Sequence, residues 1–282
     1  MNNYKHKIES EYITLSKGMK KVASYLLANP ETFAMQSAAQ VGKEVEVSET
    51  TVIRFCYALD YSGYSELQKE VRTHLLNTKS SLHSFQVDKE DIGDEPQFYL
   101  QAMKKDQGKI QRMIDQINDE DIHRVVKKII ESEQILVSGL RTSYALAQWF
   151  SFTLNVVRGN TKLFHPGTDD LIQLLSNMNE KSTFIAFSFH RYAKETIKLA
   201  EVVKRQGGSV IAITDSIVAP ITEHADYHIP IQLQGQSTLD HGPAVFSLMN
   251  AIIAGVTVHD RERFEQRKQK YEALQLDDFF SS

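Results

Sequence analysis

The sequence predicts an α/β protein with an all-α amino-terminal domain, in which a helix-turn-helix bundle precedes a doubly wound parallel sheet of five strands. Three observations predict this fold. Residues 1–77 carry helical apolar periods and repeated cap signals, without a β-rich run. From residue 134 onward, short apolar runs alternate with helical segments, as βαβ units require. Residues 78–96 are polar and without a clear period, which predicts a linker before a second domain over residues 97–282.

Composition excludes several classes of protein. The chain has 282 residues, of which 41% are hydrophobic and 24% charged, as in folded globular domains. Its one cysteine, Cys56, excludes an internal disulfide framework and a cysteine-clustered zinc site. The apolar runs are strand-sized and interrupted, and the start of the chain has no apolar signal region. We therefore expect no membrane-spanning segment, no membrane partner and a cytoplasmic location.

Cap signals divide the first 77 residues into short helices. Ser16 precedes a helical period that Asn29-Pro30 ends. The segments 37–40 and 65–68 both have the capping-box form, with serine first and glutamine fourth. Ser48, followed by Glu49, is a plausible N-cap for the next segment. These signals predict helices that begin after Ser16, Ser37, Ser48 and Ser65.

Two of these helices have the layout of a helix-turn-helix. A short helix over about 37–44 leads through a tight turn into a second helix from Ser48 to Leu59. One face of the second helix is apolar, through Val52, Phe55, Cys56 and Leu59. The opposite face carries side chains suited to phosphates and base edges, namely Thr50, Thr51, Arg54 and Tyr57. A helical bundle with a merely polar surface would show the same spacing. Charge does not decide between the two, because residues 1–80 hold 10 basic and 9 acidic side chains.

Two longer runs in this region, LSKGMKKVASYLLANPETF and VSETTVIRFCYALDYSGYSEL, resemble the amino-terminal domain of the RpiR/MurR family of bacterial transcriptional regulators. The resemblance covers nearly all of residues 1–77. It implies a DNA-binding domain that reads a double-stranded operator with Ser48–Leu59 as the recognition helix. Ser48, Thr51 and Arg54 match the polar positions of the family pattern. Val52 and Phe55 match its core positions.

The rest of the chain reads as alternating helices and strands. We predict two helical segments between 97 and 132, and further helices over 142–157, 169–177, 193–206 and 242–258. The predicted strands are 134–138, 161–164, 183–187, 209–214 and 227–231. Such alternation favours a parallel sheet covered on both faces, with ligands outside the carboxyl ends of its strands.

Two strand-to-helix loops are candidate anion sites. Residues 138–143 (SGLRTS) follow the first strand, and residues 188–192 (SFHRY) follow the third. Each loop places hydroxyls, an arginine and backbone N–H groups at a helix N-terminus, where anions are favoured. An alternative is that the serines only cap the helices. This alternative explains the hydroxyls well, but it explains the arginine in each loop less well.

Residues from about 120 to 260 are similar to the sugar isomerase (SIS) domain, which follows the helix-turn-helix domain in RpiR/MurR regulators and holds a phosphosugar. Gly139 and Ser143 match its first loop motif, but Arg141 replaces the second glycine. Ser188 and Glu195 match the later motif, whereas its serine, glycine and threonine are replaced by His190, Arg191 and Ala193. The resemblance therefore assigns effector binding to Gly139, Arg141, Ser143, Ser188, His190 and Arg191.

Together these observations indicate a DNA-binding regulator that senses a small anionic metabolite and forms a homodimer or homotetramer. The helix 245–258 and the tail that contains residues 277–280 are candidate surfaces for a second subunit.

The alternative is a phosphosugar isomerase, but no base is singled out, so we assign no catalytic residue. Motifs for nucleotide cofactors and metals are absent, so we expect neither. The arginines either hold the anion or pair with Asp169, Asp170 or Glu195 and close the pocket. His165 and His241 are weaker candidates for its lining.

Overall fold

The structure, a computed structural model, describes residues 4–77, 81–90, 92, 97–217, 219–231 and 238–274. In the amino-terminal part the helices are α1 (Tyr4–Glu11), α2 (Lys17–Ala28), α3 (Pro30–Met35), α4 (Ala38–Glu44), α5 (Glu49–Ala58) and α6 (Tyr64–Asn77). The helices that follow are α7 (Ser81–Glu90), α8 (Phe98–Gln116), α9 (Asp119–Glu131), α10 (Thr142–Arg158), α11 (Leu171–Ser176), α12 (Lys194–Arg205), α13 (Gly242–His259) and α14 (Arg261–Ala273).

Five parallel strands form one sheet in the second part. They are β1 (Gln134–Gly139), β2 (Thr161–Leu163), β3 (Ser182–Ser188), β4 (Ser209–Thr214) and β5 (Tyr227–Pro230). Their order is β2-β1-β3-β4-β5, and the β1–β3 register pairs Val137 with Ile185 and Gly139 with Phe187. The predicted α/β fold with a five-stranded parallel sheet and a helical amino-terminal domain is confirmed.

Helices cover both faces of the sheet. On one face, Val137, Phe187 and Ile213 pack in a cluster with Phe150 of α10 and Leu248 of α13. A second cluster joins the other face to α12. Because β1, β3 and β4 are buried on both sides, their apolar residues run continuously instead of alternating with polar ones.

Helix α13 corrects one expectation. With 18 residues and an apolar composition, it is long enough to cross a membrane, so the expectation that no segment has this length was wrong. Its apolar side chains, however, lie in the sheet cluster, where Val245, Met249 and Ile252 are buried. The helix is therefore the core helix of the second part on its buried face, while Val258 near its end is exposed, and its role as a surface for a second subunit stays a prediction. The tail residues 277–280 lie outside the described residues.

The amino-terminal helices enclose a separate core that includes Val22, Phe33, Phe55 and Leu67, all fully buried. Three cap predictions are confirmed, since the hydroxyls of Ser16, Ser37 and Ser48 accept backbone N–H groups of the first turns of α2, α4 and α5. The fourth is wrong. Helix α6 already begins at Tyr64, and its start is held by Glu66, which accepts the N–H and hydroxyl of Ser62.

Replacing Ser37 by alanine should lower the free energy of unfolding by about 1 kcal/mol, because the hydroxyl half of a capping box is lost while the backbone N–H of residue 37 still donates to Gln40. The Ser37 hydroxyl accepts the N–H of Gln40 at 3.3 Å, and the Gln40 side chain accepts the N–H of Ser37 at 2.8 Å. Urea denaturation followed by circular dichroism measures the change. Ser10→Ala, which removes an exposed hydroxyl inside α1, is the control. Equal stabilities of the two variants would contradict the role of the cap.

The segment predicted as a linker, 78–96, contains a helix. Helix α7 spans Ser81–Glu90, while residues 78–80, 91 and 93–96 lie outside the described residues. Lys89 of α7 donates to Asp240 at 2.7 Å, just before α13. The segment is therefore anchored on the second part, close to the edge of the sheet where the candidate site lies.

Candidate functional sites

The turn between α4 and α5 is closely packed. A Cβ atom on Gly42 would lie 2.8 Å from the carbonyl oxygen of Val47, so only glycine allows this approach. Val52, Phe55 and Cys56 anchor α5 in the amino-terminal core with no exposed surface. Burial raises the pKa of the Cys56 thiol to about 12, which keeps the thiol neutral and makes it a core residue.

The opposite face of α5 is open. Ser48, Thr50, Arg54 and Tyr57 are exposed, with Tyr57 at 56%. Within the described part of the chain, no side chain forms a hydrogen bond or salt bridge with Arg54, so its guanidinium is available to another molecule. Thr51 differs from the others, because it is half-buried and its hydroxyl is 2.9 Å from that of Ser48. Ser48 and Thr51 thus set the start of the helix, while Thr50, Arg54 and Tyr57 project from it.

A cavity of about 240 Å³ lies at the carboxyl ends of β1 and β3. These neighbouring strands lie where the chain order across the sheet changes direction, the usual ligand position in such sheets. The cavity brings together five of the six predicted effector residues: Arg141, Ser143, Ser188, His190 and Arg191. The sixth, Gly139, lies beneath them, where a Cβ would be 2.5 Å from the carbonyl oxygen of Ser143. No carboxylate is among the described residues of the lining.

Helices α10 and α12 begin at this cavity without side-chain caps. Their N-cap residues, Arg141 and Ala193, make no side-chain bond to the first turn. Ser188 is 3% exposed, and its hydroxyl has no hydrogen-bond partner among the residues that the structure describes. The interpretation of the loop serines as ordinary N-caps is therefore wrong. At the start of α10 the N–H groups of Ser143 and Tyr144 donate to the carbonyl oxygens of Leu140 and Arg141. The start of α12 and the Ser188 hydroxyl, which has no partner within the described ranges, are therefore the groups best suited to an anion.

Arg141 and Arg191 both adopt a backbone conformation that favours glycine. Their φ angles are 58° and 68°, in the left-handed region that side chains other than glycine rarely adopt. Such strain persists where surrounding structure enforces it, often at ligand sites. Both side chains are exposed, and neither forms a salt bridge with any residue in the described ranges.

The acids proposed as partners for these arginines are engaged elsewhere. Asp170 caps α11 by accepting the N–H groups of Ile172 and Gln173. Asp169 accepts the N–H of His165 at 2.7 Å. Glu195 faces a groove between α11 and α12, away from the cavity. The alternative in which these acids close the pocket is therefore wrong in this structure.

The three histidines near this edge differ in role. His190 lines the cavity, and burial, reinforced by the charge of Lys5, lowers its pKa well below the usual value, so its imidazole is neutral. His165 bonds to the Tyr144 hydroxyl at 2.7 Å and does not line the cavity. His241 is buried against Phe189, behind the lining.

Two apolar side chains that the sequence analysis did not identify also line the cavity: Leu82 of α7 and Leu239 before α13. Both belong to segments that meet through Asp240, which pairs with Lys89 at 2.7 Å and with Lys109 at 3.4 Å. Nothing in the sequence near Leu82 or Leu239 signals a site, since only the fold brings them over the loops.

The fold and the two sites define a transcriptional regulator with a helix-turn-helix domain and a SIS domain. The helix-turn-helix domain of the rpiR family matches residues 2–78, and the SIS domain matches residues 128–255. The chain therefore carries a helix-turn-helix domain of the rpiR family followed by a SIS domain.

Relatives and solved structures agree with this assignment. The chain is 24% identical to the HTH-type transcriptional regulator HexR of Escherichia coli, over 96% of this chain and 94% of HexR. It is also 24% identical to an HTH-type transcriptional regulator of Haemophilus influenzae, over 80% of this chain and 78% of that protein. The Vibrio vulnificus NanR protein, in complex with ManNAc-6P, shares the fold with a TM-score of 0.60 and 17% identity, covering 99% of this chain and all of NanR. The sugar isomerase domain of an RpiR transcription factor from Sphaerobacter thermophilus has a TM-score of 0.58 and 22% identity, covering 63% of this chain and 99% of that domain.

Proposed function

We propose that the protein binds a double-stranded operator through α5 and that an anionic metabolite in the SIS cavity controls this binding. Thr50, Arg54 and Tyr57 form the reading face, and Ser48 and Thr51 fix the start of the helix. A helix N-terminus with these side chains fits the major groove of B-DNA. Since the relatives are bacterial regulators, the proposal places the protein in the cytoplasm with the chromosome.

The observation that carries the effector half of the proposal is the pair Arg141 and Arg191. Two guanidiniums with no acidic partner in the described part of the chain flank a cavity that also holds two helix starts without side-chain caps and the Ser188 hydroxyl, which is unpaired among the same residues. Guanidinium groups bind carboxylates and phosphates through two parallel hydrogen bonds. Arginine side chains in place of glycines also narrow the space in the cavity. We therefore infer that the effector is a phosphate or carboxylic acid smaller than a hexose phosphate.

A thermal-shift screen of sugar phosphates and small carboxylic acids tests the proposal, because a ligand that binds only the folded state raises its apparent stability. Hits are then added to a complex with fluorescent operator DNA selected from a random duplex pool. The proposal requires at least one acid that both stabilises the protein and changes its affinity for the operator. A neutral hit with no acidic hit would contradict it.

The enzyme alternative is an aldose–ketose isomerase. Such chemistry needs a base that moves a proton between adjacent carbons. Among the described residues of the cavity lining, His190 is the only candidate base, and burial lowers its pKa to about 4, which makes it a weak one. Glu195, the candidate carboxylate base of the second loop, faces away from the cavity. We therefore propose a sensor without catalytic residues, cofactor or metal.

The purified protein should accordingly not interconvert aldose and ketose phosphates at a rate above background. Coupled assays on hexose, pentose and amino-sugar phosphates measure this rate. Turnover at about 1 per second or faster, an ordinary enzymatic rate, would contradict the sensor and restore the isomerase. A His190→Ala variant serves as control, since true turnover should fall with it, whereas a contaminating enzyme would be unaffected.

We also propose that the protein works as a homodimer or homotetramer, since helix-turn-helix domains read paired half-sites. Large apolar side chains are exposed on α8 and α10: Tyr99, Met103, Ile114 and Phe152 are each more than half exposed. Val258, in the predicted helix 245–258, is 69% exposed as well. Exposed apolar side chains of this kind support a protein–protein contact.

A further inference from the structure

The residues that follow β4 touch both the effector loop and the DNA-binding domain. Asp215 is the first of them. One of its carboxylate oxygens accepts the N–H of His190 at 2.9 Å, and the other accepts the Tyr192 hydroxyl at 3.0 Å. Asp215 therefore holds the residues on both sides of Arg191, although it does not line the cavity itself.

The next residue, Ser216, reaches helix α1. Its hydroxyl donates to the Glu9 carboxylate at 2.9 Å, across the boundary between the two parts of the chain. Burial lowers the pKa of Lys5, while the charges of Asp215 and Glu9 act in the opposite direction. Ile217 packs against the amino-terminal core. The end of β4 is thus bonded to α1 by polar and apolar contacts.

Helix α1 is in turn joined to the end of the recognition helix. Tyr4 and Ile8 are fully buried in the amino-terminal core. The Lys7 ammonium lies 3.9 Å from the ring centre of Tyr61, three residues beyond the end of α5. A displacement of α1 would therefore be felt at α5, because closely packed elements move as units.

We propose that Asp215 positions the effector loop and that Asp215 and Ser216 together couple the occupancy of the cavity to helix α1. This inference rests on the proposed effector site and names its route of regulation. An anion that draws Arg191 inward moves His190 and Tyr192, and with them the Asp215 carboxylate. Because hydrogen bonds weaken steeply with distance and angle, this movement alters the Ser216–Glu9 bond. By linkage, operator binding changes the affinity for the anion by the same factor.

Two substitutions separate positioning from coupling, with inorganic phosphate as the probe. Asp215→Asn removes one of the two accepting oxygens, so phosphate affinity measured by isothermal titration should fall by about 3- to 10-fold. Tyr192→Phe removes the hydrogen bond from the Tyr192 hydroxyl to Asp215. It serves as the test variant if Asp215→Asn does not fold. Ser216→Ala should bind phosphate within about twofold of wild type, because a residue outside the lining contributes no direct contact.

The readout for coupling is the ratio of operator Kd values with and without phosphate, at ionic strength matched with chloride. In Ser216→Ala this ratio should move toward one. Ser176→Ala, which likewise removes one hydroxyl hydrogen bond, to Gln173 on α11, should keep the wild-type ratio. A wild-type ratio in Ser216→Ala would overturn the coupling. Unchanged phosphate affinity in Asp215→Asn and Tyr192→Phe would overturn the positioning role.

Failure of the effector site itself is distinguishable. If wild type binds no phosphate, the proposed function loses its support, and hydrogen exchange then decides the coupling. Loss of the Ser216–Glu9 bond should speed amide exchange both in α1 and in residues 188–192, because local openings of coupled segments are shared. Faster exchange confined to α1 would show that the contact is structural only and would overturn the inference.

Discussion

Arg54→Ala is expected to weaken binding to the selected operator by about 1–3 kcal/mol, or roughly 5- to 150-fold, if the guanidinium reads a base edge. The structure explains the size of the effect. Arg54 projects from the exposed face of α5, while Val52 and Phe55 on the buried face fix the helix in its core. Removing an exposed and unpaired side chain leaves the fold intact, so the loss belongs to DNA contacts.

Fluorescence anisotropy at several salt concentrations distinguishes two forms of this contact. If Arg54 binds only a phosphate, affinity should drop on all sequences, and the slope of log K against log salt should decrease by about one. Arg124→Ala is the matched control, because Arg124 is also exposed but lies on α9, in the second part of the chain. A folded Arg54→Ala protein with wild-type affinity and salt slope would contradict the assignment of α5 as the recognition helix.

The elements that the sequence predicted are those whose local signals agree with their burial. The second helix of the helix-turn-helix has a serine cap and an apolar face at helical spacing, and both are realised at Ser48 and at Val52, Phe55 and Cys56. The predicted strands β3 and β4 are continuous apolar runs between turns, and the structure buries them between helices. In these places local preference and tertiary packing favour the same conformation.

Helices α7 and α14 were not predicted, because their sequences have no apolar face to bury. Residues 81–90 mix polar and apolar side chains without a helical period, and residues 261–273 are rich in charge. Tertiary anchors hold them instead, such as Lys89 on Asp240 and Arg267, which donates to the carbonyl oxygens of Asn155 and Val156 at the end of α10. These anchors join segments that are distant in the sequence, so the residue pattern of one segment does not reveal them.

The sequence predicted the two loops of the candidate effector site, but it did not predict the residues that surround these loops. Arg141, Ser143 and Ser188 follow strands whose carboxyl ends meet, so parallel-sheet geometry alone brings them together. The left-handed backbone of Arg141 and Arg191 is a tertiary property, although glycines in the related motif are its signal. The link from Asp215 and Ser216 to Glu9 joins residues more than 200 positions apart, which no local pattern encodes.

The Arg141→Ala/Arg191→Ala double variant is expected to lose most of its affinity for the anionic effector. A hydrogen bond to a charged group contributes about 1.5–3 kcal/mol, which corresponds to roughly 10- to 150-fold for each guanidinium. The remaining donors, the Ser188 hydroxyl and the two helix starts, cannot replace that charge. Isothermal titration of the acid found by thermal shift measures the loss, with Arg124→Ala/Arg205→Ala as a control that removes two exposed guanidiniums elsewhere in the second part.

A second pair of substitutions, Arg141→Gly/Arg191→Gly, separates charge from space. Glycine adopts positive φ without strain, so this variant should be at least as stable as the alanine variant while carrying the same loss of charge. If the arginines also exclude larger ligands, the ratio of the Kd for a hexose phosphate to the Kd for the small acid should be lower in the glycine variant than in wild type, because the cavity widens while the loss of charge weakens both anions. Undiminished affinity for the small acid in both double variants would show that the two arginines do not hold the ligand.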